Sequence, residues 1–227
     1  MKKKSVTFGE IMLRLTTPDN LRMQQSREFL VNYGGSEANV AISIANFGGD
    51  VEYITRLPDN ALGETCLAEL RSHNIGTQHI LTGGRRLGTY YMEKAAAMRN
   101  SKVIYDREGS AFSELKPGMI DWRTIFSDAA IFHWSGIDAA LTPGLAEVCK
   151  EAITIAKEMG LTISYDINYR KNLWNYGKSA QEVLRPLMVS SDIMFGSEGE
   201  YALLTGIPAP GFKAVSYTHL RAHETVL

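Results

Sequence analysis

The chain has 227 residues, 44% of them hydrophobic, and a formal net charge of −1. These values predict a globular protein with a sizeable core, without the basic excess typical of nucleic-acid binding. No apolar run approaches the roughly 18 residues of a membrane-spanning helix, and Glu10 and Arg14 interrupt the segment that a signal peptide would need. We therefore expect a cytoplasmic protein with no nucleic-acid or membrane partner, whose isolated Cys66 and Cys149 are reduced core residues.

Strand-like and helix-like patterns alternate along the chain. Val40, Ile44 and Phe47 recur at helical spacing in the first helix, and Pro143 opens the clearest helix, which Gly160 ends. The predicted strands lie at 6–8, 51–55, 79–81, 130–135, 161–165 and 192–195, and the predicted helices at 36–47, 60–72, 121–126, 143–159 and 198–204. Such alternation predicts a mostly parallel sheet covered by helices, an α/β fold.

Two segments with period-two alternation interrupt this order, at 11–33 and 88–107. In the second segment, Tyr90 belongs to one predicted strand, whereas Tyr105 and Arg107 share one face of the next. Such a face either forms the lid of a polar pocket or is an ordinary solvated sheet surface, and the pattern leaves both interpretations open.

A glycine pair, Gly34-Gly35, separates the first of these segments from the first helix. Glycine permits a positive φ and close approach of a ligand to the backbone, and Ser36 is placed to cap the helix. The unpaired amides of the first helical turn favour an electron-rich ligand group. An ordinary strand-to-helix turn remains the alternative.

Polar residues also follow a buried strand in the second half of the chain. Asp166, Asn168 and Arg170 lie at the carboxyl end of the strand at 161–165, where open α/β sheets bind ligands. Further on, Glu200 could orient hydrated Mg²⁺ through water, or it could simply complement the dipole of the helix it begins. His133 lies within a buried strand and is predicted to be a packed core residue.

Three motifs together resemble a known family. The segments 34–41 (GGSEANVA), 166–174 (DINYRKNLW) and 197–200 (SEGE) are similar to those of the ribokinase-like carbohydrate kinases, the phosphofructokinase-B family. Within it, the chain most resembles the 2-keto-3-deoxygluconate kinases, over about 5–214. The resemblance implies a three-layer α/β/α sandwich with a small β lid at about 11–33 and 86–110. It also implies ATP- and Mg²⁺-dependent phosphorylation of a sugar hydroxyl.

The resemblance assigns roles to individual residues. The implied cofactor-binding residues are Asn168, Ser197 and Glu200, with Glu200 near the metal through water. Ser197 stands where the family typically has asparagine. Arg107 and Arg170 are expected to pair with a substrate carboxylate. The implied substrate-binding residues are Gly34, Gly35, Asn39, Tyr90, Tyr105, Arg107 and Arg170.

The final part of the family pattern is missing from this sequence. The glycine-aspartate turn that supplies the family's catalytic base and anion hole is absent, so the catalytic residue is unknown here. We expect 1–215 to be the N-terminal part of a kinase domain truncated at its C-terminus. The tail 216–227 does not resemble the family and is expected to be an artefact. The complete parent is expected to form homo-oligomers through the lid, whereas this fragment is expected to be inactive.

Other functions remain open alongside a kinase of a small sugar acid. One is a fructokinase- or ribokinase-type enzyme acting on a neutral sugar, and another is a non-catalytic fragment that binds sugar or dimerises. A dinucleotide-dependent oxidoreductase is disfavoured, because the glycines lack the spacing of the dinucleotide-binding fingerprint.

Overall fold

A computed structural model describes residues 4–207 of the chain. In chain order the strands are β1 (Lys4–Phe8), β2 (Met12–Thr16), β3 (Leu30–Gly34), β4 (Val51–Ile54), β5 (Arg56–Leu57), β6 (Leu81–Thr82), β7 (Thr89–Glu93), β8 (Lys102–Asp106), β9 (Ala129–Ser135), β10 (Thr162–Asp166) and β11 (Ile193–Phe195). The helices are α1 (Ser36–Asn46), α2 (Ala61–Ser72), α3 (Trp122–Phe126), α4 (Gly136–Leu141), α5 (Pro143–Glu158), α6 (Ala180–Met188) and α7 (Glu198–Thr205). The predicted tail at 216–227 lies outside the described residues.

The central sheet has five strands in the order β11-β10-β9-β1-β4, and every neighbouring pair is parallel. All strands therefore present their carboxyl ends at one edge of the sheet, where a ligand site is expected. The two-residue strands β5 and β6 form a separate parallel pair. The predicted α/β fold with a mostly parallel sheet is confirmed.

Two apolar clusters cover opposite faces of the central sheet. Alternation along a strand directs Phe132 and Trp134 of β9 into the larger cluster, which joins the sheet to α3, α5 and α6. Tyr53 of β4 points the other way, into a smaller cluster with residues of α1 and α2. Helix, sheet and helix thus form the three layers of the sandwich. Among residues 4–207, no helix is long and apolar enough to cross a membrane.

A second sheet of four strands, which we call the lid, has the order β3-β2-β7-β8. Its strands come from the two alternating segments of the sequence, as predicted. The register sets Tyr90 opposite both Arg14 and Tyr105, so these three side chains lie in one row on one face. The first lid strand, β2, follows β1 in the chain. This connection brings the lid face that carries Tyr90 to the carboxyl edge of the central sheet.

The first helix packs on the sheet through small residues and a glutamate. Its buried residues are Glu37, Ala38 and Ala41, whereas Phe47 lies just beyond the helix with 91% of its surface exposed. Small alanines let α1 approach β1 and β4 closely, and that contact decides which face is buried. Of the apolar residues at helical spacing, Val40 and Ile44 are half-buried and Ile44 packs against the smaller cluster, whereas Phe47 is exposed.

Three other local features also differ from the prediction. The strand predicted at 79–81 shrinks to Leu81–Thr82, because His79 turns aside to bond with buried Glu52. Helices α4 and α6 have no counterpart among the predicted elements. Helix α4 has only six residues, which is too short for a clear helical pattern, and α6 contains Pro186 in its interior, which is atypical of a helix. Both cysteines are free and buried, as predicted.

Candidate active site

A cavity of about 270 Å³ opens between the lid and the carboxyl edge of the central sheet. The structure brings together around it all of the predicted substrate-binding residues and one predicted cofactor-binding residue, Asn168. Its lining includes Gly34, Gly35, Asn39, Tyr90, Tyr105, Arg107, Asn168 and Arg170. These residues come from three lid strands, α1 and three loops, so only the fold makes them neighbours.

The glycine pair has a structural role within the protein in addition to the predicted one. Neither glycine has a positive φ. A Cβ atom on Gly35 would lie 2.2 Å from the carbonyl oxygen of Glu10, and one on Gly34 would lie 2.8 Å from the hydroxyl of Tyr90. Within the protein itself, the loop after β1 and a lid tyrosine pack closely against this turn.

The residue after the glycines also differs from its predicted role. Gly35, not Ser36, occupies the capping position of α1, and no side chain caps the helix there. The Ser36 hydroxyl instead accepts a hydrogen bond of 2.9 Å from the side-chain amide of Asn168. The predicted cap is wrong, and in its place the glycine turn is tied to the loop after β10.

The lid supplies two tyrosines and an ion-paired arginine. The rings of Tyr90 and Tyr105 lie 5.7 Å apart, and burial raises the pKa of Tyr90, so its hydroxyl stays protonated and able to donate. Arg107 follows β8 and donates from both Nε (2.7 Å) and Nη2 to one oxygen of Glu10. Lid and central sheet are thus joined by a charged contact at the cavity.

The loop after β10 supplies a cation with spare donors. Arg170 is exposed, and its guanidinium makes a single hydrogen bond within the described part of the chain, to the carbonyl of Tyr169 at 3.2 Å. Asn168 adopts a φ of 40°, a conformation that asparagine tolerates better than most residues. Its backbone amide donates to Asp166, which fixes the loop. This turn therefore directs the loop after β10 toward the cavity, which Asn168 and Arg170 line.

Ser197 and Glu200 lie apart from the cavity lining, at the start of α7. They form a reciprocal capping box, in which Glu200 accepts from the Ser197 amide at 2.8 Å and Ser197 accepts from the Glu200 amide. The other Glu200 oxygen accepts from the Tyr169 amide, also at 2.8 Å. Burial acts to raise the pKa of Glu200, but these hydrogen bonds outweigh it and hold the pKa below its usual value. Glu200 therefore stays ionised and anchors the loop that carries Asn168 and Arg170.

The profile of the pfkB family carbohydrate kinases matches residues 2–224. The chain belongs to this family. Its membership confirms the predicted resemblance and agrees with the lid and the carboxyl-edge cavity described above. The predicted roles of the individual site residues stay predictions.

Several relatives of this pfkB family member have names that state a substrate. A 2-dehydro-3-deoxygalactonokinase from Haloferax volcanii is 34% identical over 87% of this chain and 62% of its own length. Fructokinase-1 from Zea mays is 30% identical over 89% of this chain and 62% of its own length. The crystal structure of 2-dehydro-3-deoxygluconokinase from Thermotoga maritima has a TM-score of 0.89 and 41% identity, over 98% of this chain and 68% of that one. The chain thus spans less than two thirds of the length of the relatives from Haloferax volcanii and Zea mays.

Two carboxylates lie buried beneath the glycine turn of this pfkB family member. Glu37 of α1 and Asp138 of α4 are 1% and 0% exposed, and one oxygen of Glu37 and both of Asp138 have no hydrogen-bonding partner within residues 4–207. Burial raises the pKa of Glu37 to about 7. Burial, and then the neighbouring charge of Glu37, raise the pKa of Asp138 well above its usual value. The cavity lining therefore includes one buried carboxyl group, that of Glu37, whose pKa lies near neutral pH.

Five residues that the sequence reasoning did not select also line the cavity. They are Glu10, Met12, Ser36, Glu37 and Ile137. Glu10 directly follows the first strand of a parallel sheet, and that position is a usable sequence indication of a site. Glu37 is an acidic residue in a first helical turn, where the commonest role is complementing the dipole, so its burial was not predictable. Within the described residues, no cluster of three or more His, Cys, Asp or Glu side chains is arranged to hold a metal ion.

Proposed function

We propose that the full-length protein carrying this sequence is a cytoplasmic sugar-acid kinase that phosphorylates 2-keto-3-deoxygluconate at its terminal hydroxyl. The observation that carries the proposal is Arg170, an exposed guanidinium at a tyrosine-lined cavity with donors to spare. A keto-acid substrate has a carboxylate that neutral sugars lack, and a guanidinium pairs with a carboxylate in a forked geometry. Two of the relatives named above, those from Haloferax volcanii and Thermotoga maritima, are named as kinases of 2-dehydro-3-deoxy sugar acids.

The described residues would bind and orient the sugar. Tyr90 and Tyr105 would donate hydrogen bonds to substrate hydroxyls from the lid, and the lid would exclude water from the transferred phosphoryl group. The sugar hydroxyl oxygen attacks the γ-phosphorus, the bond from that phosphorus to ADP breaks, and the hydroxyl proton passes to a base. By family resemblance, the base is the aspartate of the glycine-aspartate turn, a motif that this sequence does not contain.

ATP and Mg²⁺ are the proposed cofactors, with Asn168, Ser197 and Glu200 on the side that would face them. A carboxylate has about four acceptor sites, so Glu200 can accept a metal-bound water in addition to the amides of Ser197 and Tyr169. Its lowered pKa keeps the charge that such a water requires. Ser197 fits less directly, because its hydroxyl is already engaged in the capping box. When bound, Mg²⁺ would neutralise charge that develops on the phosphate oxygens.

We also propose that the full-length protein forms a homo-oligomer through the lid. Leu30, Thr16, Met92 and Val103 lie in one row across the lid; Leu30 and Val103 are 48% and 40% exposed, and Thr16 is buried. Exposed apolar side chains in a row on a sheet are typical of an interface. Sedimentation velocity of the wild-type protein and of V103K tests this, and a monomer at all concentrations would refute it.

A coupled assay of ADP release tests the substrate. The full-length protein would be assayed with 2-keto-3-deoxygluconate, 2-keto-3-deoxygalactonate, fructose and ribose at equal concentrations. We expect the highest kcat/KM with 2-keto-3-deoxygluconate. Faster turnover of fructose or ribose would refute the substrate assignment while leaving the kinase assignment in place.

The second candidate is a kinase of a neutral sugar, and the Zea mays fructokinase supports it. The ion pair between Glu10 and Arg107 also favours it, because it removes one of the two cations expected to meet a carboxylate. A third candidate is a non-catalytic fragment that binds sugar or dimerises. Turnover by the chain of residues 1–227 alone would exclude that third candidate.

A further inference from the structure

Glu10 has one oxygen committed to an ion pair and one oxygen free. Oε2 accepts both hydrogen bonds from Arg107, whereas Oε1 is buried and has no partner among residues 4–207. The residue as a whole is 3% exposed. A buried carboxylate oxygen without a donor is unfavourable, and native structures usually satisfy such atoms.

The free oxygen belongs to a residue of the cavity wall. Glu10 lines the cavity together with Arg107, Tyr90 and Arg170. A Cβ atom on Gly88, immediately before lid strand β7, would lie 2.5 Å from Oε1, so the absence of a side chain there leaves room for this oxygen. Glu10 therefore contacts the lid at two places, one on each side of its carboxylate.

The neighbouring charge limits what can satisfy Oε1. Arg107 already balances the charge of Glu10, so a cationic ligand group at Oε1 would meet a guanidinium close by. A neutral donor meets no such repulsion. The hydroxyl groups of a sugar are neutral donors of suitable size.

We propose that Glu10 is a substrate-binding residue whose Oε1 accepts a hydrogen bond from a sugar hydroxyl while Oε2 holds Arg107 against the cavity wall. This inference rests on the proposed sugar-kinase function and specifies its substrate class. The hydroxyl-bearing part of the substrate lies toward Glu10, and the carboxylate lies toward Arg170. It also revises the expectation that Arg107 and Arg170 share the carboxylate, because Glu10 already pairs with Arg107.

The decisive variant is Glu10→Gln in the full-length protein. Its side-chain oxygen is expected to face Arg107, which places the amide NH₂, a donor, where Oε1 was. Wild type and variant would be assayed with 2-keto-3-deoxygluconate and with its monodeoxy analogues, each lacking one hydroxyl. Because hydrogen bonds to charged groups are strong, one analogue should lose about ten- to a hundredfold in kcat/KM with wild type.

The variant should show the same loss with the parent sugar and little further loss with that one analogue. This non-additivity is a readout that a purely structural role would not produce, since a misfolded site weakens all substrates alike. Asp106→Asn is the matched control, because it removes a lid ion pair with Arg86 that has no contact with the cavity. The control should change kcat/KM less than twofold for every substrate.

Gly88→Ala is a second variant that keeps every charge; its Cβ atom would crowd Oε1 most closely, at 2.5 Å, and would also lie 3.1 Å from the Met12 side chain. It should reproduce the analogue-specific loss even if Glu10→Gln fails to fold. Equal losses on the parent sugar and on all analogues, in either variant, would overturn the role of Glu10. Wild-type protein without turnover on any sugar would instead overturn the proposed kinase function, and this inference with it.

Discussion

Buried carboxylates at the two ends of the central sheet differ in their hydrogen bonding. At the amino end, Glu52 is 1% exposed and accepts hydrogen bonds from Lys4 at 2.9 Å and from His79. At the carboxyl end, Glu37 is equally buried but keeps an oxygen without a partner in the described residues. Burial acts to raise both pKa values, but in Glu52 the bonds from Lys4 and His79 outweigh it and lower the pKa.

This difference suggests that one end of the sheet contributes to stability and the other end to function. A paired buried carboxylate contributes to a rigid structure, whereas an unpaired one is unfavourable unless a ligand or a proton satisfies it. Functional sites are where folded proteins commonly retain such unfavourable groups. We therefore expect substitutions at the amino end to change stability, and those at the carboxyl end to change binding or to stabilise the chain.

The largest effect is expected for Lys4→Met. It leaves Glu52 buried with His79 as its remaining ion-pair partner, and breaking a buried pair typically costs about 3–5 kcal/mol in the free energy of unfolding. Urea unfolding at pH 7.5 measures it. The matched control is Lys150→Met, which removes an exposed lysine whose contact with Glu147 is 3.9 Å and should change stability by about 0.5 kcal/mol or less. Equal effects of the two would mean that the amino end is not a stabilising network.

Arg170→Ala should show the opposite behaviour. Its guanidinium is exposed, so stability should change by about 0.5 kcal/mol or less, while kcat/KM for the keto acid should fall about ten- to a hundredfold. Fructose should be affected much less, because it has no carboxylate. Arg170→Lys is the matched control and should lose less, since it keeps the charge but not the fork. Equal losses on both substrates would make Arg170 a structural residue.

Glu37→Gln is expected to stabilise the chain modestly. The pKa of Glu37 is raised from the ordinary 4.5 to about 7, so the folded chain holds this proton more tightly than the unfolded one. Its contribution to stability is therefore lost as pH rises from about 4.5 to about 7. At pH 8 the variant should gain about 1–3 kcal/mol and should have a flatter pH profile.

Glu52→Gln serves as the opposite-sign control for that measurement. Its lowered pKa means a contribution to stability that is present above the ordinary value of 4.5 and is lost as pH falls below it. Glu52→Gln should therefore destabilise the chain at pH 8. If both variants lost stability at pH 8, the difference between the two ends would be refuted.

Periodicity and turn residues were sufficient to predict most of the main strands and the lid strands, whereas the family was predicted from the resemblance of three motifs. They did not reveal which face of α1 is buried, because close packing selected Ala38 and Ala41 over larger apolar residues. The contact of Glu10 with Arg107 joins residues 97 positions apart, and no local pattern encodes such a contact. Likewise, the hydrogen bonds of His79 and Asn168 depend on which strands become neighbours, which follows from the completed fold.

The place of β1 in the sheet has a consequence for synthesis on the ribosome. β1 lies between β4 and β9, and 125 positions separate Lys4 from Ala129 at the start of β9. At roughly 5–20 residues per second, β9 is made about 6–25 s after β1. Until β9 is made, β1 has at most β4 as a partner, and its other edge offers unpaired backbone groups to any nearby strand. A chaperone that shields nascent chains would therefore act mainly in the period before β9 emerges.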